Sequence, residues 1–210
     1  MKMKNIILLD HPIMRHKLGY LRSKTTSTTE FRFILKEVSQ ILAFEATRNS
    51  PIEKIKIETP IVDTDAERII NAPIVVSIMR AGNTMINAIL DFMPFCRAGH
   101  IGIYRDKFIR NTVEYYFKLP DQHEGKEILL CDPMIATADT AIAAIDRLKN
   151  YEVGSIKILT ILISRHGAEK IHHFHPDVTI YALSATDELL ENGYLTPGMG
   201  DAGDRLFGSA

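Results

Sequence analysis

The stretch Asp132-Pro133-Met134-Ile135-Ala136-Thr137-Ala138-Asp139-Thr140 opens on a carboxylate and closes on hydroxyl and small residues, just ahead of the helical pattern AIAAIDRLK. A helix N-terminus offers free backbone N–H groups and the positive end of the helix dipole, hydroxyls add donors, and a carboxylate can accept from ribose hydroxyls. Together these parts can hold a phosphorylated sugar. The competing reading is that Thr137, Asp139 or Thr140 merely caps the helix. A second stretch, Arg80-Ala81-Gly82-Asn83-Thr84, sets a guanidinium beside two small residues. Side chain and backbone can approach one anion there, and a bidentate guanidinium suits a diphosphate. Tyr104-Arg105-Asp106-Lys107 places further cations in a comparable position, although such clusters are most often solvated surface.

The tail differs in kind. GYLTPGMGDAGDRLFGS, from Gly193 to Ser209, holds five glycines, a proline and the charges Asp201, Asp204 and Arg205, which is not how a packed helix or strand is written. Its composition suits a loop whose backbone N–H and C=O groups come close to a flat ligand and read its edge. A frayed terminus is the alternative. Tyr194, Leu195, Met199, Leu206 and Phe207 argue against fraying, because disordered tails seldom carry that much apolar surface.

These stretches need elements to aim them. Phe31, Ile34, Leu35, Val38, Ile41 and Leu42 recur at helical intervals between Ser27 and Arg48, and Ser27 with Glu30 forms a capping box at the start. Lys54 to Glu58 alternates apolar and charged residues, as a strand with one wet face does. Four short β-rich runs follow: Ile74 to Met79, Ile101 to Tyr104, Ile128 to Cys131 and Ile156 to Ile163. Two lead into helical patterns at Thr84 to Phe92 and Thr140 to Leu148. Continuous apolar strands alternating with helices predict an α/β fold, an open and mostly parallel twisted sheet with helices on both faces. Ligands bind such sheets beyond the carboxyl ends of the strands, where the Asp132, Arg80 and Arg105 stretches fall. Thr112 to Leu119 alternates between turn signals and reads as a β-hairpin arm.

Length and composition narrow the function class. With 210 residues and 46% hydrophobic content, the chain can bury one core, and we read a single domain over 1–210. A formal net charge of -1 with no long block of like charges disfavours nonspecific nucleic-acid binding. The N-terminal apolar run, Ile6 to Leu9, is too short for a signal peptide or a membrane span, which points to the cytoplasm. Cys96 and Cys131 sit in apolar surroundings and read as packed thiols of a reducing compartment. His166, His172, His173 and His175 lie near one another, but neighbours such as His172 and His173 diverge on any regular element, so a metal site is the weaker reading. Tyr115, Tyr116 and Phe117 lack basic interleaving and suit packing in the arm or against a second subunit better than stacking on RNA.

Over almost its whole length the chain resembles uracil phosphoribosyltransferase. The resemblance lies in HPIMRHKLGYLRSKTTSTTEFR, the RAG at 80–82, GHIGIYRDK, VEYYFKLP, DPMIAT and, above all, GYLTPGMGDAGDRLFGS. It implies a type I phosphoribosyltransferase fold with an N-terminal arm (1–30), a hairpin arm (112–119) and a C-terminal base-binding hood (187–210). The implied activity, part of pyrimidine salvage, joins uracil to phosphoribosyl diphosphate (PRPP) to give UMP and diphosphate. Mg²⁺ would be carried mainly by the substrate's diphosphate, near Asp201. Arg80 and Arg105 take the place of diphosphate contacts, Asp132, Pro133, Met134, Ile135, Ala136, Thr137, Ala138, Asp139 and Thr140 that of the ribose-phosphate loop, and Leu195, Gly200, Asp201 and Ala202 that of the uracil-reading backbone. Asp132, Asp201 and Arg80 are the implied catalytic groups. A homo-oligomer and, as in some relatives, a purine-nucleotide activator belong to the same set of implications.

Two departures stand out. The family's phosphate loop usually reads Thr-Gly-Gly and then Ser or Thr, whereas here Ala138 and Asp139 follow Thr137. A positive φ would strain the alanine, and a carboxylate beside a 5′-phosphate would repel it unless it turned away to cap the helix. After the RAG, Asn83-Thr84 replaces the usual Leu-Gly, with Thr84 able to cap the next helix. The altered loop leaves open a catalytically weak or inactive regulator that binds UMP or uracil. A transferase for another base is the third reading.

Overall fold

The computed structural model describes residues 5–105, 112–186, 188–190 and 193–209. The first half runs β1 (Ile6–Leu8), α1 (Pro12–Arg22), α2 (Thr28–Ala46), β2 (Ile52–Glu58), β3 (Asp63–Ile69), β4 (Ile74–Met79), α3 (Gly82–Phe92) and β5 (Arg97–Arg105). The second runs β6 (Thr112–Lys118), β7 (Ile128–Cys131), β8 (Met134–Ile135), α4 (Asp139–Lys149), β9 (Ile156–Ser164), α5 (Arg165–Phe174), β10 (Thr179–Thr186), β11 (Glu188–Leu189), β12 (Leu195–Thr196) and α6 (Ala202–Phe207).

The main sheet has the order β1-β10-β9-β7-β4-β5-β6, with β8 added beside β9. Its pairs are parallel except β5 with β6. Alternate residues of the central strands feed two cores. Val75, Leu129, Cys131, Leu159 and Ile161 pack with α1, α2, α3 and α6 on one face. Ile74, Val76, Ile78, Ile128, Leu130 and Ile158 pack with α4 and α5 on the other. Two covered faces explain why these strands read as unbroken apolar runs. The fold is the expected α/β arrangement.

Helix α2 starts as its sequence requires. Glu30 N–H donates to Ser27 Oγ at 3.3 Å, and Ser27 N–H donates to Glu30 Oε2 at 2.9 Å, closing the capping box. Phe31, Leu35, Val38 and Leu42 then form a buried stripe, each side chain gaining roughly 1.5–3 kcal/mol by leaving water. Helix α1 was not read from the sequence as an element. Its signal is Pro12 in the first turn, after a His11 cap whose Nδ1 accepts from Ile13 N–H, with Met14, Leu18 and Leu21 buried on one face.

The segment expected as a hairpin arm, 112–119, pairs antiparallel with the preceding strand β5, and Thr112–Lys118 is the edge strand of the main sheet. Its alternation comes from having one wet face at that edge. The ribbon that forms a separate two-stranded sheet is β2 with β3, paired from Ile52↔Ile69 to Glu58↔Asp63. The sequence reading took only Lys54 to Glu58 as a strand there. Cys96 and Cys131 are buried free thiols. Burial pushes the Cys96 thiol up to about 11 and Cys131 higher still, with the charge of Asp132 adding to the latter.

Candidate active site

From β4 the chain moves outward through α3 to β5 on one side, then returns to β7 on the other side of β4. The order reverses between β4 and β7, and the crevice beyond their carboxyl ends is where such a sheet binds ligands. The Arg80 and Asp132 stretches both emerge there. They are tightly apposed: a Cβ on Gly82 would lie 2.4 Å from Cys131 O, so only glycine lets the start of α3 sit against the end of β7. The Met79–Arg80 peptide is cis. Arg80 is exposed and stacks its guanidinium over Phe207 of α6, 5.4 Å from the ring centroid.

Asp132 follows β7 directly. Burial pushes its carboxyl up to about 7, and the Met134 N–H, donating to Oδ1 at 3.3 Å, offsets this only in part. Pro133 O accepts from Ile161 N–H at 3.1 Å and Leu162 N–H at 3.2 Å, which seats the loop on β9. Further along, Ser164 Oγ donates to Ala136 O while also accepting from Gly167 N–H as the cap of α5. A Cβ on Gly167 would lie 2.6 Å from Ala136 O, so α5 can press against the loop only through a glycine. Ala138 has φ 65° and ψ 3°, in the left-handed region. Asp139 begins α4; its Oδ2 accepts from Thr137 Oγ1 at 2.9 Å, and its Oδ1 pairs with Lys170 Nζ of α5.

The tail is folded onto this crevice. Leu195, Met199, Ala202 and Leu206 are buried in the core shared with α1, α2 and α3. β12 pairs with β11, and Thr186 Oγ1 donates to Thr196 O at 2.7 Å. A Cβ on Gly198 would lie 2.2 Å from Leu195 O, and Gly200 has φ 73°, so both glycines are needed for the turn that precedes α6. Asp201 caps α6 by accepting from Asp204 N–H at 2.9 Å. Arg205 is the fastening that sequence reasoning missed. Its guanidinium donates to the carbonyls of Leu21, Ser23, Thr26 and Met199 and lies 4.2 Å from the Phe31 ring centroid. Arg32 adds a bond from Nε to Leu206 O.

The uracil phosphoribosyltransferase family profile matches residues 8–209. The chain belongs to the uracil phosphoribosyltransferase family. A uracil phosphoribosyltransferase of Polaromonas naphthalenivorans is 44% identical over 99% of this chain and 100% of its own length. The solved structure of the AQ2163 protein from Aquifex aeolicus is 30% identical, with a TM-score of 0.90 over 96% of this chain and 97% of that one. Adenine phosphoribosyltransferase from Leishmania donovani, at 14% identity, shares the fold with a TM-score of 0.59 over 90% of this chain and 87% of that one. The sheet is that of the type I phosphoribosyltransferases.

Against the family's pattern, the geometry corrects two expectations about helix caps. Neither Thr137, Asp139 nor Thr140 caps α4, because the cap position is Ala138, which has no side-chain acceptor. Thr84 does not cap α3, which begins two residues earlier after Ala81 without a side-chain cap. The carboxylate of Asp139 is held by Thr137 and Lys170 instead. Asn83 has a different use: Ser77 Oγ donates to its Oδ1 at 2.7 Å, with His100 Nδ1 2.8 Å from the same hydroxyl. Arg105 ends β5, and its side chain, with Asp106 and Lys107, lies outside the described residues.

Carboxylates here include Asp132 and Asp201, hard oxygen donors suited to Mg²⁺. Asp201 already uses Oδ1 for the α6 cap, and no group of three acidic, histidine or cysteine side chains among the described residues is arranged to hold an ion. Among the described residues no helix is long and apolar enough to cross a membrane.

Proposed function

We propose that this chain catalyses transfer of the phosphoribosyl group from PRPP to uracil, in one phosphoribosyltransferase domain acting as a cytoplasmic homo-oligomer. The observation that carries the reading is the meeting of three segments at the β4/β7 crevice, with Gly82 against Cys131 and Arg80 against Phe207 of the tail. Uracil N1 attacks the anomeric carbon, the bond from that carbon to the diphosphate oxygen breaks, and diphosphate leaves with the electron pair while the N1 proton passes to solvent water. Charge builds on the leaving oxygens and on the ribosyl ring, so positioning and fixed charges supply the acceleration.

Arg80, with Arg105, neutralises the departing diphosphate. Asp132 accepts from the ribose hydroxyls and offsets positive charge on the ring, while 133–140 receive the 5′-phosphate at the start of α4. Mg²⁺, when bound, would screen the diphosphate charge, and Asp201 is the side chain that would hold it. Backbone groups of Leu195 and Gly200 to Ala202 read the two carbonyls and ring N–H of uracil, and a base that leaves buried donors unpaired is rejected by orders of magnitude. An equimolar mixture of uracil, cytosine, adenine and hypoxanthine with PRPP and Mg²⁺ is the test. UMP should dominate the products, and a predominance of any other nucleotide would overturn the assignment of the base.

A further inference from the structure

Asp139 places a fixed negative charge in the first turn of α4, where the free N–H groups and helix dipole would otherwise favour a bound anion. A phosphate arriving there meets a carboxylate already in the favourable field. Its repulsion must be offset for the loop to work, and Lys170 is a cation that meets it. Lys170 does not belong to the loop. It reaches Asp139 because Ser164 and Gly167 hold the start of α5 against Ala136 O, which presents the next turn of α5 to the start of α4.

The Thr137 hydroxyl also donates to Asp139, so one carboxylate ties together the loop, α4 and α5. We infer that Lys170 is a positioning residue for the 5′-phosphate: it neutralises Asp139, draws the carboxylate toward α5 and keeps the α4 N-terminus open to a phosphate. This rests on the proposed phosphoribosyl transfer. Through the Lys170–Asp139 pair the chain tolerates an acid at a position that binds an anion, and the effect is confined to the phosphate end of the ligand.

The test is a binding cycle by calorimetry on the parent, Lys170→Ala, Asp139→Asn and the double variant, with UMP and inorganic diphosphate as separate probes. Both side chains are partly exposed, so the variants should fold, which a thermal melt checks. Lys170→Ala should weaken UMP about tenfold, the scale of removing one positive charge from a partly exposed site, and leave diphosphate unchanged. Asp139→Asn should bind UMP at least as well as the parent, and the double variant should recover that affinity. Equal UMP affinity in the parent and Lys170→Ala, or a double variant as weak as Lys170→Ala, would overturn the inference alone. A folded parent that binds neither UMP nor diphosphate would overturn the functional reading and this inference with it.

Discussion

Asp132 is costly where it stands. Its carboxyl keeps a proton up to about pH 7 in the folded chain, whereas an unfolded aspartate loses it near 4. The stability contributed by the protonated form is therefore complete below about pH 4 and is lost as pH rises through about 7. Asp132→Asn should be more stable than the parent at pH 8 by about 2 kcal/mol, allowing for the solvent the half-buried residue retains, with the gap closing toward pH 4. Chemical denaturation across that range measures it. At pH 8, where the parent carboxyl is ionised, the same variant should lose about 100-fold in kcat/KM for PRPP, because a neutral amide cannot offset charge on the ribosyl ring. Ala138 carries a second local cost. A left-handed alanine is strained by roughly 1 kcal/mol, so Ala138→Gly should unfold at higher denaturant, apart from the entropy glycine adds to the unfolded chain. A midpoint lowered by the full entropic cost of glycine, about 1 kcal/mol, would show that the loop is not strained at this residue.

At the scale of elements, the Arg205 guanidinium fastens the tail by exchanging water for carbonyls from α1, the α1–α2 connection and its own turn. Burial lowers the Arg205 pKa, the mark of a charge taken out of water. Arg205→Met should strand those carbonyls, cost about 2–3 kcal/mol and lower Tm by several degrees, while raising KM for uracil more than KM for PRPP. Equal effects on both would detach the tail from base recognition. The apolar residues of the tail were legible as packing, since Leu195, Met199 and Leu206 had no place in a disordered segment, but Arg205 read only as one charge among several. Three of its four carbonyl partners lie more than 170 positions away, and carbonyls leave no sequence signal. The β2–β3 ribbon was half legible for a related reason: DTDAERI carries almost no apolar alternation, and its pairing with IEKIKIE depends on cross-strand charges such as Arg68 with Glu53.

For the whole molecule, strand composition was enough to foresee the parallel sheet, because two covered faces leave continuous apolar runs. Strand order was not foreseen, and that order creates the site: β5 and β7 flank β4 on opposite sides, so loops separated by some fifty residues open into one crevice. The Asp132 and Arg80 stretches were recognised singly from residue types; their apposition depends on Gly82, whose need for close approach appears only once Cys131 is beside it. The fate of Asp139 was equally hidden, since its cation lies 31 positions away on α5.

These scales meet in one claim, that the crevice turns over uracil despite Ala138 and Asp139. A single-turnover experiment with enzyme in excess over labelled PRPP, in the presence of uracil and Mg²⁺, measures it. We expect UMP and diphosphate to form together, in equal amounts and in proportion to the PRPP supplied. Tight binding of UMP or uracil by correctly folded protein, with the labelled PRPP left intact, would contradict the account.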